Sequence, residues 1–389
     1  MKFHILLLVF ISIVFQTKNA FAYPHFIGLG YSSCLTCHYN PLGNGPINDY
    51  GRAVFATGVA SKGFYDENKP EELIASESGF FGKEIQNKNF RPFIGLRGML
   101  LKANLGETNS QSDFILMQTE GNLVFKTGAK DQFLMSATFG YAPIPRSLQN
   151  TAAGDSMKKY RTREHYIAFR PKPSFGFYLG LLDKPFGIRL AEHNSYSRIT
   201  PQLTMDDQSH GLLFHYTHEK FEFSSNFYLG NLVNEPDIRK KGFSNLFEYS
   251  FFENSRLGLS YLSEKNEYLK LSALALSFRS QITYGTSIMT EIGKVTKNSI
   301  KDSSNLKNET YALLHNHIKT TRGLYLLNSI EYYKSSLDKS YRVRFGPGLQ
   351  YFPIQKMELR LDVYNTRNFG QETVVKDRWD LLMQLHAWI

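Results

Sequence analysis

The amino-acid sequence predicts an all-β protein, a transmembrane antiparallel β-barrel of about sixteen strands that follows a small N-terminal segment. Three observations predict this fold. Apolar and polar residues alternate along many short segments, polar connections of unequal length separate those segments, and no run of 18 or more apolar residues follows the N-terminus. The composition agrees, because 31 Phe and 23 Tyr occur beside only 14 Pro. We therefore expect a protein whose apolar residues alternate with polar residues instead of forming long apolar runs.

The first residues predict export. Lys2 precedes an apolar run from Ile5 to Phe15, and Ala20-Phe21-Ala22 has the small-x-small pattern of a cleavage site. We interpret residues 1–22 as a Sec signal peptide, so that the mature chain begins at Tyr23. The alternative is a retained membrane anchor, but the apolar run is too short to cross a hydrocarbon layer of roughly 30 Å as a helix.

The formal net charge is +10, and removal of the signal peptide with Lys2 and Lys18 leaves +8. A positive balance suits contact with acidic lipid headgroups or acidic redox partners, although a solvated surface would carry the same charge. We expect outer-membrane lipid as a partner and no nucleic acid.

Residues 91–389 form the predicted barrel, because successive side chains of a strand point to opposite faces. One face of each of three segments is apolar in this way: Phe133, Met135, Ala137, Phe139 and Tyr141; Phe221, Phe223, Phe227 and Leu229; Leu359, Leu361 and Val363. A soluble sandwich also alternates. The number of strands favours a barrel, because single-chain bacterial barrels have an even count. The predicted strands begin near 92, 112, 131, 163, 174, 207, 220, 241, 254, 267, 281, 309, 323, 341, 356 and 378.

The connections predict two different barrel ends. Arg146–Arg163 and Lys294–Asn308 are long and polar, while Phe252–Ser255 and Arg279–Gln281 are tight. Long outer loops and short periplasmic turns have this pattern.

The last segment resembles the C-terminal strand of outer-membrane proteins, which usually ends in an aromatic residue. Here Trp388 precedes the final Ile389. One face of this strand is apolar: Trp379, Leu381, Met383, Leu385, Ala387 and Ile389. We therefore predict the bacterial outer membrane as the location.

Residues 23–63 are rich in Gly, Pro and Asn and contain the only two cysteines, and residues 64–90 read as a linker or a short helix. The cysteines occur in Cys34-Leu35-Thr36-Cys37-His38, a CxxCH sequence. Two thiols at this spacing form thioethers with the vinyl groups of haem, and the following histidine binds the iron. We expect one covalent haem c, held by Cys34, Cys37 and His38.

Three other interpretations compete with haem. A disulfide oxidoreductase would need a βαβ context, but the surroundings of the motif are loop-like. A structural zinc site needs four ligands, and only three stand close together in the sequence. The spacing could also arise by chance.

Further haem contacts are predicted with less specificity. Tyr50 and Arg52 could bind the haem propionates, because Arg pairs with carboxylates, but Arg52 could equally be a solvated or capping residue. The second iron ligand is open between His25, His193 and Met99, each of which could instead be a packing or surface residue. The stretch Gly187–Arg198, around His193, alternates poorly and should fold inward as a loop or line the lumen.

A signal peptide, one CxxCH near the mature N-terminus and a porin-like body together resemble the fused monohaem cytochrome-porins of bacterial outer membranes, whose members include iron-oxidising proteins. The resemblance implies that Cys34 and Cys37 attach the haem and that His38 is the proximal ligand. It also implies an electron conduit between an extracellular donor or acceptor, with Fe(II) the first to test, and periplasmic cytochromes or other carriers. Whether the chain is itself an Fe(II)-oxidising enzyme is open.

Two other functions are compatible with the sequence. One is a diffusion porin with a cytochrome plug and no transmembrane electron transfer, since a 16-stranded barrel has a lumen wide enough for a plug. The other is a haem sensor or a peroxidase-like enzyme, for which the sequence has no convincing distal acid-base pair. An oligomer is compatible with each.

Overall fold

The computed structural model describes residues 24–43, 45–63, 68–78, 89–105, 110–141, 160–190, 192, 194–301, 306–337, 340–370 and 377–388. The predicted signal peptide and His193 lie outside these residues. In the described part of the chain, no helix is long and apolar enough to cross a membrane.

Sixteen antiparallel strands form one closed barrel, as predicted. The fourth strand is interrupted, and both of its segments pair with the third. The strands are β1 Phe90–Ala103, β2 Gln111–Thr127, β3 Phe133–Tyr141, β4 Tyr160–Arg161 with His165–Lys172, β5 Phe175–Leu182, β6 Ser209–Thr217, β7 Phe221–Tyr228, β8 Lys241–Phe252, β9 Ser255–Lys265, β10 Leu269–Thr283, β11 Thr286–Ser299, β12 Leu306–Thr321, β13 Leu324–Ser335, β14 Tyr341–Ile354, β15 Met357–Phe369 and β16 Arg378–Trp388.

The first strand closes the ring. It pairs with β2 on one side and with β16 on the other, where Gly95 lies opposite Trp388 and Ala103 lies opposite Asp380. Closure gives both end strands a partner, which a sheet in a lipid layer requires because lipid offers no hydrogen bonds.

The wall of the barrel is apolar outside and polar inside. Phe227 of β7 is 62% exposed, whereas Glu222 and Asn226 on the opposite face of that strand are buried. In β3, Phe133 and Phe139 are exposed in the same way. A soluble sandwich would bury its apolar face, so the predicted alternation has the orientation of a barrel in lipid.

The two ends of the barrel differ, as predicted. Short turns occupy one end, where β1 begins and β16 ends, and the longer loops lie at the other. Short turns face the periplasm in bacterial barrels. The periplasmic turns are 128–132, 173–174, 218–220, 253–254, 284–285, 322–323 and 355–356.

Two predicted connections are corrected. The tight turn at Arg279–Gln281 is wrong, because these residues lie inside β10 and the turn follows at 284–285. Their polarity has another cause, since Arg279 and Gln281 reach groups inside the barrel. The loop predicted at Lys294–Asn308 is shorter, because β11 and β12 extend into it.

The N-terminal segment lies inside the barrel. Its described residues, 24–43 and 45–63, are called the plug here. They bond to the wall on strands far apart around the ring, through the pairs Asp49–Arg91, Asn40–Glu164, Ser33–Glu222, Gly28–Gln281 and His25–Gln350. A segment with such partners must cross the lumen.

Short helices make up much of the plug. They are α1 Pro24–Gly28, α2 Cys34–Cys37 and α3 Asp49–Val54, which continues as a π-helical turn Phe55–Val59. Helix α4, Glu71–Ser76, falls in the predicted linker and buries Ile74.

The connection between β5 and β6 folds into the lumen from the opposite end. We call its described residues between 183 and 208 the inward loop; they include helix α5, Tyr196–Ile199. Lys184 binds Glu264 of β9 at 2.7 Å, and the backbone N–H of Ile188 donates to Glu291 of β11. This confirms that the stretch around Gly187–Arg198 folds inward.

Candidate functional site

The CxxCH motif forms a single helical turn followed by an extended residue. The N–H of His38 donates to the carbonyl of Cys34 at 2.9 Å, and His38 then pairs with Ile47 in an isolated β-bridge. The amide of Asn48 donates to the carbonyl of Thr36 at 2.9 Å. These bonds hold the motif in place by its backbone.

Helix α3 packs directly on the motif, which requires a glycine. A Cβ atom at Gly51 would stand 2.4 Å from the carbonyl oxygen of Cys37. The side chain of Asn48 caps the helix by accepting from the N–H of Gly51 at 2.8 Å. The turn-rich sequence after the motif therefore folds back over it.

A large cavity with an empty volume of about 1570 Å³, including its open mouth, lies between the plug, the inward loop and the wall. His38 and His25 both line it. Phe55 and Phe352 supply apolar surface, and Trp388 of the last strand completes that side. Two of the sequence-predicted iron-binding residues are thus brought to one cavity.

His25 is buried among aromatic rings. Its Nε2 lies 2.8 Å from Oε1 of Gln350, and its ring contacts those of His317, Tyr325 and Phe352 at centroid distances of 4.6–5.0 Å. Burial lowers the pKa of His25 to about 4, so the imidazole is neutral at pH 7. A neutral imidazole is the form that binds a metal.

Cys37 is buried and Cys34 is half-buried. Burial raises the pKa of Cys34 to about 11 and that of Cys37 to about 12. Reactive redox cysteines instead have a lowered pKa, so this environment does not resemble that of a disulfide oxidoreductase. Cys34 borders a smaller neighbouring cavity, and Cys37 packs in an apolar cluster with Phe26 and Phe55.

Arg52 and Tyr50 lie in different places. Arg52 lines the large cavity and pairs with Asp49 of the same helix. Arg91 also binds Asp49, at 2.8 Å. Burial raises the pKa of the Asp49 carboxyl, but the guanidinium groups of Arg91 and Arg52 lower it more, so that the pKa lies below its ordinary value. Tyr50 is exposed, bonds to the hydroxyl of Tyr31 at 2.7 Å, and does not line the cavity.

Met99, a second candidate iron ligand, does not line the cavity of His38. Met99 of β1 borders a separate, smaller cavity. His193 lies outside the described residues. Within the described residues, no three His, Cys, Asp or Glu side chains are grouped to hold a metal ion.

Several cavity residues have no signal in the sequence. Gln350 and Trp388 belong to the wall and reach the cavity only through the closed barrel, far from the motif along the chain. Arg198 reaches it from the inward loop. The sequence indicates only that this loop folds inward, and not that Arg198 reaches the cavity.

The fold and the cavity define a class, the porin-like β-barrels of bacterial outer membranes, with a plug in the lumen. The apolar outer face contacts membrane lipid. No protein-family model and no curated protein sequence matches this chain.

Solved structures of this class are similar to the chain. OmpT of Vibrio cholerae has a TM-score of 0.61 at 8% identity, covering 77% of this chain and 97% of that one. The anion-selective porin of Comamonas acidovorans has a TM-score of 0.56 at 7% identity, with coverages of 77% and 99%. The outer-membrane channel DcaP of Acinetobacter baumannii has a TM-score of 0.56 at 11% identity, with coverages of 76% and 96%. At such identities the likeness shows the fold alone.

Proposed function

We propose that this barrel is an electron conduit of the outer membrane, which passes single electrons through one c-type haem. The observation that carries the proposal is the meeting of His38, next to the two thiols, and His25 at one cavity inside a closed barrel. The hydrocarbon layer insulates, so electrons cross it only with the help of a cofactor. The resemblance to fused cytochrome-porins points to the same function.

The donor set fits a haem c. Cys34 and Cys37 stand on one helical turn, His38 follows them, and the buried His25 is neutral and borders the same cavity. When bound, haem supplies a one-electron iron couple whose potential depends on its axial ligands and surroundings. Of the three candidates for the second ligand, we propose His25.

The plug and the inward loop enclose the site from both ends. The plug bonds to the wall around the ring, and Arg189 and Arg198 of the inward loop line the cavity from the other side. The extracellular donor that we propose is Fe(II), whose oxidised product is insoluble and best formed outside the cell. Periplasmic cytochromes would exchange electrons at the plug.

A diffusion porin with a cytochrome plug is the second candidate, favoured by the likeness of the barrel to porins and channels. It requires a path for solutes past the plug. Solute flux through liposomes that contain the protein, without haem reduction by Fe(II), would favour this candidate over the conduit.

A pyridine haemochrome spectrum of the purified protein tests the cofactor. The unmutated protein should show one covalent haem, Cys34→Ala should lose the normal double thioether signature, and Thr36→Ala, a change in the spacer, should keep it. Stopped-flow mixing with Fe(II) should then reduce the haem. Absence of covalent haem in the unmutated protein would overturn the proposal.

A further inference from the structure

Arginines are concentrated around the large cavity. They come from the plug, the wall and the inward loop, so no one segment explains them. Among the described residues, the arginines that line it are Arg52, Arg97, Arg163, Arg189 and Arg198.

Three of these arginines have a carboxylate partner. Arg52 pairs with Asp49, Arg163 pairs with Glu120 at 2.9 Å, and Arg189 pairs with Asp183. Arg52, however, shares its carboxylate with Arg91, which binds Asp49 at 2.8 Å.

Arg97 also has polar neighbours. Its Nη2 lies 3.2 Å from Nδ1 of His386, which in turn lies 3.2 Å from the carboxylate of Glu358. The negative charge of the Glu358 carboxylate thus attracts the guanidinium of Arg97.

Arg198 is the most buried of these arginines. It is only 4% exposed, and within the described part of the chain no carboxylate lies within 4.0 Å of its guanidinium. Burial lowers its pKa, while Glu291 and Asp207 raise it from a greater distance.

Both of those carboxylates have nearer partners. Glu291 accepts hydrogen bonds from the N–H of Ile188 and, at 2.7 Å, from the hydroxyl of Tyr311. Asp207 binds Lys184 and Lys240, each at 2.7 Å. Both carboxylates therefore act on Arg198 only from beyond 4.0 Å.

A buried charge without a close counter-charge destabilises a fold. An anionic group that enters the cavity would therefore bind favourably to Arg198. A guanidinium presents two parallel N–H donors, which match the two oxygens of a carboxylate and also those of a phosphate.

We propose that Arg198 binds a carboxylate of the cofactor, a haem propionate, and holds the inward loop against it. This rests on the proposed function, because the carboxylate comes from haem. Of the two residues expected from the sequence, Arg52 lines the cavity and is paired with Asp49, whereas Tyr50 does not line it.

Thermal unfolding with and without haem gives the test. Arg198→Leu should lower the Tm of the haem-loaded protein, because it removes an ion pair. In a haem-free variant with both cysteines replaced by Ala, the same substitution should raise the Tm, because it removes an uncompensated buried charge. The matched control Arg189→Leu, on the same loop, should lower the Tm in both backgrounds because it leaves Asp183 unpaired.

The midpoint potential is the second measurement. Arg198→Leu should lower it, because loss of a positive charge favours the ferric state, and Arg198→Lys should restore most of the difference. A Tm loss equal in both backgrounds with an unchanged potential would overturn the assignment to Arg198. A rise in the Tm of the haem-free variant on addition of inorganic phosphate, lost in Arg198→Leu, combined with an unchanged potential, would assign the site to a free anion instead. Absence of covalent haem from the unmutated protein is a different result, which overturns the proposed function.

Discussion

Arg322, in a periplasmic turn, holds the end of the plug, and its replacement by Ala should loosen the plug. Its Nε donates to the carbonyl of Ala60 and its Nη2 to that of Ala56, each at 2.8 Å. Its Nη1 also donates to Glu71 at 2.6 Å. One guanidinium therefore joins the barrel, the plug and the helix that follows it.

The structure gives the size of the effect. A hydrogen bond from a charged donor contributes about 1.5–3 kcal/mol. Arg322 is 24% exposed, so we take the lower value for each of the two carbonyl bonds. The ion pair with Glu71 is partly exposed and adds about 0.5 kcal/mol or less. The total of about 3 kcal/mol corresponds to a roughly hundredfold larger population of plugs released from the rim.

Conductance of single barrels in planar bilayers measures this population. Arg322→Ala should open far more often than the unmutated protein. Lys62→Ala is the matched control, because it removes only the partly exposed ion pair of Lys62 with Glu71 at 2.7 Å and should behave like the unmutated barrel. Equal opening frequencies in Arg322→Ala and the control would refute the reasoning.

Three further predictions concern the proposed haem site. His25→Ala should change the ferric absorption spectrum and lower the fraction of low-spin haem, whereas Met99→Leu should leave both unchanged; the opposite pattern would make Met99 the ligand. Gly51→Ala should reduce the haem content measured by haemochrome, because its Cβ would meet the carbonyl of Cys37, and Gly121→Ala, with its nearest atom at 3.9 Å, should have the normal content. The third prediction concerns a haem-free variant. The pKa of His25 is about 4 in the folded protein and 6.5 as its ordinary value, so between these pH values the unfolded chain binds a proton at His25 more readily than the folded chain does. The free energy of unfolding should then fall by roughly 3 kcal/mol as the pH drops through this window, and His25→Gln should remove that part of the pH profile. An unchanged profile in His25→Gln would contradict this account.

The barrel could be read from the sequence because lipid imposes one rule on every strand. Phe227 must face outward and Asn226 inward, so the alternation is visible locally without knowledge of any partner. The same rule explains the error at Arg279–Gln281. A strand end whose polar residues point into the lumen has the composition of a turn.

The candidate site could be predicted from the sequence as far as the CxxCH motif and a set of three alternative second ligands. Cys34, Cys37 and His38 are close in the sequence and have a recognisable spacing. The contact of His25 with Gln350 joins residues 325 positions apart, and it depends on how the plug sits in the closed ring. Among the described residues Arg198 has no carboxylate within 4.0 Å, and this is likewise a property of the packed lumen that no local pattern records.

Electron transfer into sealed vesicles tests the central proposal most directly. Liposomes that contain the protein should enclose oxidised cytochrome c, and Fe(II) should be added outside. The proposed conduit predicts that the enclosed cytochrome is reduced, that Cys34→Ala abolishes the reduction, and that vesicles enclosing the Fe(II) chelator ferrozine stay colourless. Coloured ferrozine inside, or cytochrome that stays oxidised while the haem of the barrel is intact, would contradict it.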